Sequence, residues 1–200
     1  MHARDYADAE DSGDILYIVH SHPDVPARPS EGDRVACEAS GLPWYIVSVI
    51  KDAHGRPQIA GDAILEPQGY IAPLEGRSFV HGVLDCWALC RDWYAQEWGL
   101  DLPNPDRPDN WWNDGHSDLY TSNLADAGFR ILGPDEPMQR GDLILMQIRS
   151  KNGVPNHAGI YLGDGLMLHH MYGRLSRKET YGGYWREMTR LVARHAEARA

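Results

Sequence analysis

Apolar residues in the first part of the chain come in short blocks bounded by turn formers. DILYIVHSH, residues 14–22, reads as a strand that Pro23 stops. SEGDRVACEASG, residues 30–41, reads as a short helix, opened by a Ser30-x-x-Asp33 capping box and closed by Gly41. PWYIVSVI predicts a second strand and PQIAGDAIL a third. The run around Glu10 that precedes them is polar and helix-like. In EPQGYIAPLEGRS, residues 66–78, two prolines and two glycines punctuate the chain as a linker would. The pattern therefore predicts two regions, 1–71 and 72–200, with no internal repeat.

The second region brings a different period. In DCWALCRDWYAQEWG, residues Cys86, Leu89, Cys90 and Trp93 recur at i, i+3, i+4 and i+7, the stripe of an amphipathic helix. A stretch rich in Pro, Asp and Asn follows, with an exposed-looking Trp111–Trp112 pair. GDLILMQI, HAGIYLG and LMLHHMY predict strands, the last two joined as a hairpin at Gly163-Asp164-Gly165. Two registers are open. A three-residue loop, 163–165, sets Gly159 opposite His169. A two-residue loop, Asp164-Gly165, which the Asp-Gly signal favours, sets it opposite His170.

Charge and cysteine content narrow the function. Lysine and arginine number 19 against 29 acids, a formal net charge of −10. That balance argues against nucleic acid as a partner, because phosphate backbones attract basic surfaces. No apolar run approaches the ~20 residues that cross a bilayer, so stable membrane insertion is not expected. The acidic start, MHARDYADAEDSGD, does not read as a signal peptide, which predicts a chain made and kept in a cytosol at least at first. Three cysteines, Cys37, Cys86 and Cys90, are too few and too oddly numbered for a disulfide framework. Each is then core filler or a reactive thiol.

Two constellations carry chemistry. His20 and His22 are two residues apart, so on a strand they share a face and can reach one ion. Two imidazoles and a carboxylate suit a zinc site that keeps an open position, and Asp33 is the candidate third ligand. The competing role for Ser30 and Asp33 is the capping box itself, and by this reading Asp33 has to choose. The run His20-x-His22-Pro23, a loop, then Ser30-x-x-Asp33 resembles the JAMM metallopeptidases. That resemblance implies one zinc ion held by His20, His22 and Asp33, with Ser30 beside the metal-bound water. The JAMM pattern also needs a glutamate general base on a strand well upstream. Only 19 residues precede His20 here, and Glu10 lies in the helix-like run. The expectation is a truncated metal-binding half-domain with weak or no hydrolysis of its own, since a positioned base contributes roughly 10²–10⁴-fold.

The second constellation is a thiol with histidines. Asp85 is a good N-cap, which puts Cys86 at the first helical position, where the helix end favours thiolate. The alternative for Cys86 is burial, and on local physics the two stand even. Cys90 and Cys37 read as core. His157 opens one strand of the hairpin, and His169 or His170 ends the other. LDCWALCRDWY, GDLILMQ and NHAGIYLGDGLMLHH together resemble the NlpC-type papain-like cysteine peptidases. The resemblance implies a triad of Cys86, His157 and His169, a choice of His169 over His170 that rests on the family and not on the hairpin. Many members carry a tyrosine about twelve residues before the cysteine; here Leu74 stands near that place. The Cys86 backbone N–H remains a candidate oxyanion donor.

The expected fold class is α+β: a partial JAMM/MPN-like α/β half-domain, then a papain-like NlpC-type domain with a cysteine-bearing helix on an antiparallel sheet. This order, with DYADAED, LPWYIVS, LHHMYGRLS and YGGYWRE, resembles the tail assembly proteins of lambda-like phages. That resemblance implies other phage tail-tip proteins as partners and a peptidoglycan stem peptide as substrate, cut between γ-D-glutamate and diaminopimelate. It also implies host cytoplasm during assembly and the cell wall on infection. The alternatives are a structural tail component with vestigial sites, a processor of virion proteins, and an isopeptidase working through the zinc half.

Overall fold

The computed structural model describes residues 3–198, with side chains from residue 6 onward. The chain divides into two compact units, Met1–Ala72 and Pro73–Ala200.

The first unit contains α1 (Ala3–Ser12), β1 (Ile18–Pro23), α2 (Glu31–Ser40), β2 (Trp44–Lys51) and β3 (Pro57–Leu65). Its sheet has the order β1-β2-β3, with β1 parallel and β3 antiparallel to β2. The first strand starts later than the apolar pattern predicts. Its first pair is Ile18 with Trp44, and Pro43, the next residue back, has no N–H to extend the ladder. Burial alternates along β1, so Ile18, His20 and His22 share the more covered face. The helix that follows is capped as its sequence predicts. Ser30 Oγ accepts the Asp33 N–H, Asp33 accepts the Ser30 N–H, and Gly41 adopts the left-handed conformation that closes the last turn. Cys37, Ile46 and Leu65 form the centre of this small core.

The second unit contains α3 (Cys86–Trp98), a 3₁₀ turn (Trp111–Asn113), α4 (Leu119–Asn123), β4 (Phe129–Ile131), β5 (Leu143–Met146), β6 (His157–Gly163), β7 (Leu166–His169), β8 (Arg177–Thr180), α5 (Tyr184–Met188) and β9 (Thr189–His195). Six strands form an antiparallel sheet in the order β4-β9-β5-β6-β7-β8, and α3 packs on β6 and β7. The helix is more deeply buried than a single stripe requires. All five residues from Cys86 to Cys90 are buried, and Trp93, Tyr94 and Trp98 continue the contact. Cys90 is core, and all three cysteines are free thiols. The exposed-looking tryptophan pair divides: Trp111 is core, 4% exposed with its ring 5.7 Å from that of Tyr120, and Trp112 is half-buried.

The hairpin combines the two registers that the sequence leaves open. Asp164 and Gly165 form a two-residue turn with φ of 50° and 72°, as the Asp-Gly signal predicts. Gly163 therefore pairs with Leu166, but the ladder shifts between Tyr161 and Gly163. Leu162 is bulged out, Tyr161 pairs with Met167, and Gly159 faces His169.

Candidate active site and metal centre

Cys86 is the first residue of α3, and its position is set by Asp85. That carboxylate accepts the Ala88 N–H at Oδ1 and the Gly82 N–H at Oδ2, both at 2.9 Å, so the turn before the helix and its first turn are fixed together. Arg107 Nε reaches Asp85 Oδ2 at 2.8 Å, and both side chains are buried. The Cys86 Sγ lies 3.1 Å from Tyr120 Oη. The N–H of Ala158, the residue after His157, is also close enough to favour the thiolate. Cys86 and His157 line one cavity of about 960 Å³.

The histidines form a relay whose tautomers the neighbours assign. His157 Nε2 and His169 Nδ1 are 3.0 Å apart, and His169 Nε2 is 2.9 Å from Glu179 Oε2. An ionised carboxylate only accepts, so His169 Nε2 carries the hydrogen and its Nδ1 is an acceptor. His157 Nε2 is then the donor, and His157 Nδ1 keeps its lone pair for a proton. Arg177 holds the outer end, with Nε and a terminal guanidinium nitrogen 3.1 and 2.9 Å from Glu179 Oε2. The Trp185 ring covers the relay, 4.5 Å from the His169 ring and 6.2 Å from that of His157. Gly159 makes the close approach possible: a Cβ there would meet Leu168 O at 3.1 Å and His169 Cβ at 3.2 Å.

The electrostatics differ from the helix-end argument. Burial pushes the Cys86 thiol up to about 11, and the Asp85 carboxylate acts the same way. Tyr120, the Ala158 N–H and Arg107 oppose this but are outweighed. Burial lowers His157 to about 3, with the charges of His169 and His170 adding to the effect. Of the two readings the sequence leaves even for Cys86, burial therefore outweighs the helix end, favouring a neutral thiol beside a neutral imidazole. The partial charge of a helix terminus is a small term against the loss of water around the sulfur.

In the first unit His20, His22 and Asp33 bring one ligand atom each within 4.8 Å of one another. His20 Nε2 is 3.3 Å from Asp33 Oδ1, and His22 Nε2 is 3.2 Å from Asp33 Oδ2. The capping box does not compete for the whole carboxylate: Oδ2 accepts the Ser30 N–H at 2.7 Å, while Oδ1 faces His20. The choice anticipated for Asp33 is not forced, because a carboxylate has two oxygens with about four acceptor sites. His22 Nδ1 lies 3.0 Å from Pro26 O, so Nδ1 donates there and Nε2 is free to ligate. Two imidazole nitrogens and a carboxylate oxygen converging in this way fit a zinc ion. Among the described residues no glutamate joins the cluster, and Glu10 is exposed on α1.

Residues 76–194 match the NlpC/P60 family, and residues 1–58 match the prokaryotic homologs of the JAB domain. The chain is 41% identical over 197 residues to Tail tip assembly protein K of Escherichia phage N15, covering 98% of this chain and 75% of the relative. It is 37% identical over 200 residues to Tail tip assembly protein K of Escherichia phage lambda, covering 100% of this chain and 92% of the relative. The chain belongs to the tail tip assembly protein K family, with an NlpC/P60 domain as its larger part. Among solved structures, the NlpC/p60 domain of peptidoglycan hydrolase SagA superposes with a TM-score of 0.40 at 19% identity, covering 60% of this chain and 89% of that chain. The two family matches bear out the expected α+β architecture of this K-family chain, a JAB-like region followed by an NlpC/P60 domain.

Within this K-family chain the geometry adds residues that sequence reasoning missed. Glu179 orients His169 from β8, a four-residue polar strand with no apolar alternation to announce it. Tyr120 reaches the sulfur from five-residue α4; the only sequence signal is Asp118 three residues before Thr121, a cap whose side chain accepts the Thr121 N–H. Arg107 braces the cap of the K-family cysteine from an irregular segment that carries no periodic pattern at all.

Proposed function

We propose that this chain is a phage tail-tip assembly component whose larger unit is a cysteine endopeptidase acting on peptidoglycan stem peptides, at the bond from γ-D-glutamate to diaminopimelate. The observation that carries the reading is that His157, which lines the same cavity as Cys86, heads a relay through His169 to Glu179 bonded at 3.0 and 2.9 Å. Membership of the K family supports the tail-tip role, because the curated relatives carry that name.

The chemistry follows from the tautomers. Cys86 Sγ attacks the scissile carbonyl carbon while His157 Nδ1 takes the thiol proton. The C–O π pair becomes an oxyanion, to which the Cys86 N–H, in the first turn and without an intrahelical acceptor, donates. His157 passes its proton from Nδ1 to the amine nitrogen as the C–N bond breaks. Water then attacks the thioester, giving one proton back through His157 to sulfur as the C–S bond breaks. His169 holds the ring of His157, and Glu179 holds the tautomer of His169. His20, His22 and Asp33 would hold one zinc ion in the first unit. Among the described residues no glutamate joins them, so in this reading peptide hydrolysis is assigned to Cys86.

A second reading has one observation in its favour. The Cys86 thiol, held up to about 11, is unreactive at rest, as in a structural tail component with a vestigial site. Digestion of purified muropeptides by the wild type and by Cys86→Ala separates the two. The peptidase reading expects a free stem fragment beginning at diaminopimelate from the wild type alone. No fragment from either protein, with Cys86→Ala phage failing to assemble, supports the structural reading instead. Activity lost on chelation and unaffected by Cys86→Ala would move the chemistry to the zinc half.

A further inference from the structure

A second cavity shares no lining residue with the one that Cys86 and His157 border. It holds about 280 Å³, and its walls include Trp87, Pro103, Leu119, Tyr120, Leu124 and Ala127. The mechanism above uses none of these residues. The fold sets the walls: Trp87 Nε1 donates to Pro103 O at 3.0 Å, and the Trp87 and Tyr120 rings meet edge to face with centroids 5.8 Å apart. A dry cavity of about 150 Å³ lined by apolar side chains takes up benzene. This one therefore has room for an indole or a phenol ring. Aromatic side chains are also the anchors that partner proteins favour in such pockets.

The charge around the pocket indicates what stands beside the anchor. Asp126 lines it, Asp106 lies between the lining residues Pro105 and Arg107, and Asp101 lies two positions before Pro103. All three aspartates are exposed. Arg107 does not offset them, because its buried guanidinium is engaged by Asp85, Asn104 and the carbonyls of Pro105 and Gly82. Arg91 is half-buried, donates to Leu102 O at 3.0 Å, and has the charges of Asp92 and Asp101 beside it. An apolar pit with exposed carboxylates at its margin suits a ring flanked by cations and repels one flanked by carboxylates.

The pocket also reaches the nucleophile through its wall. Tyr120 lines it, and Tyr120 Oη lies 3.1 Å from Cys86 Sγ. Trp87 is the next residue of α3 after Cys86. We propose that this pocket is a docking site for another tail-tip protein, which inserts an aromatic side chain flanked by lysine or arginine and braces Tyr120 against the sulfur. The choice of partner rests on the tail-tip role of the K family; docking needs no cleavage and does not depend on the peptidase reading. A tyrosine hydroxyl held against the sulfur donates to the thiolate and favours it, so an occupied pocket makes Cys86 more reactive.

The test uses the full chain and three end-capped tripeptides: lysyl-tryptophanyl-lysine, lysyl-alanyl-lysine and glutamyl-tryptophanyl-glutamate. Affinity is read by calorimetry, position by NMR of the methyl groups, and the state of Cys86 by its rate of alkylation with iodoacetamide at fixed pH. The pocket predicts that the first peptide binds and shifts the methyl signals of Leu124 and Ala127, and that the other two bind roughly tenfold more weakly. Asp126→Asn, at an exposed position, should weaken the first peptide several-fold. The alkylation rate of Cys86 should rise with that peptide alone. Equal affinities for all three, shifts confined to other methyl groups, or no binding at millimolar concentration would overturn the site. An unchanged alkylation rate with the peptide bound would overturn the brace on Tyr120. Self-association of the chain that Asp126→Asn abolishes would overturn the choice of partner and give the pocket to a second copy. Absence of muropeptide cleavage overturns the peptidase reading and leaves the site standing.

Discussion

At the scale of single residues, the central feature is a sulfur that burial holds in its neutral form. Cys86 is pushed up to about 11 and His157 down to about 3, so between those values neither carries charge. The sign of the pH dependence follows. Alkylation by a small neutral electrophile requires thiolate, whose fraction rises about tenfold per pH unit below the thiol's own pKa. The labelling rate of Cys86 should climb steadily through neutral pH toward about 11. A plateau beginning near neutrality would mean a resting thiolate–imidazolium pair and would contradict the burial argument. In the proposed reaction a substrate would lower this barrier by bringing its own carbonyl to the sulfur, so that proton transfer to His157 Nδ1 and bond formation occur together. Cys86 was legible because an aspartate in front of an apolar helix marks the helix start. Its ionisation state was not, because nothing in a local motif reports how much water the fold removes.

At the scale of elements, the β6–β7 hairpin does the positioning. The two-residue turn at Asp164-Gly165 alone would set Gly159 opposite His170. The bulge at Leu162 moves the ladder by one residue and brings His169 there instead. The turn was readable from Asp-Gly, but the bulge was not, because Leu162 packs against the core as an unbulged leucine would. Gly159 is the element's tight point, with a Cβ position 3.1 Å from Leu168 O and 3.2 Å from His169 Cβ. Gly159→Ala should push the strands apart by a few tenths of an ångström. The expected cost is about 1–3 kcal/mol of stability, with the loss of peptide cleavage exceeding what the shift in denaturation midpoint explains. Unchanged activity in a stably folded Gly159→Ala protein would show that the close approach to His169 is not needed. The same scale explains what sequence reading missed: β4 and β8 have three and four residues, and α4 and α5 have five each, too short to show a period.

At the scale of the whole molecule, each of the two units carries one candidate site. The strand alternation of β1 and the capping box of α2 were both visible in the sequence, and together they bring His20, His22 and Asp33 within reach of one ion. What the spacing could not tell was that one carboxylate serves the cap and the cluster at once. Metal analysis of the purified chain should find about one zinc ion per chain, reduced at least tenfold in His22→Ala. Cys86→Ala should retain the same metal content, since the thiol belongs to the other unit. Zinc absent from protein with His20, His22 and Asp33 intact would remove the metal site from the account.

The most direct test of the account is capture of the acyl-enzyme. The chain is mixed with a γ-D-glutamyl anilide, quenched in acid, and its intact mass and peptide map are read. The account predicts the mass of one acyl group, on Cys86 rather than Cys37 or Cys90, and none in His157→Ala. No acylation of the wild type, or acylation that persists in His157→Ala, would contradict it.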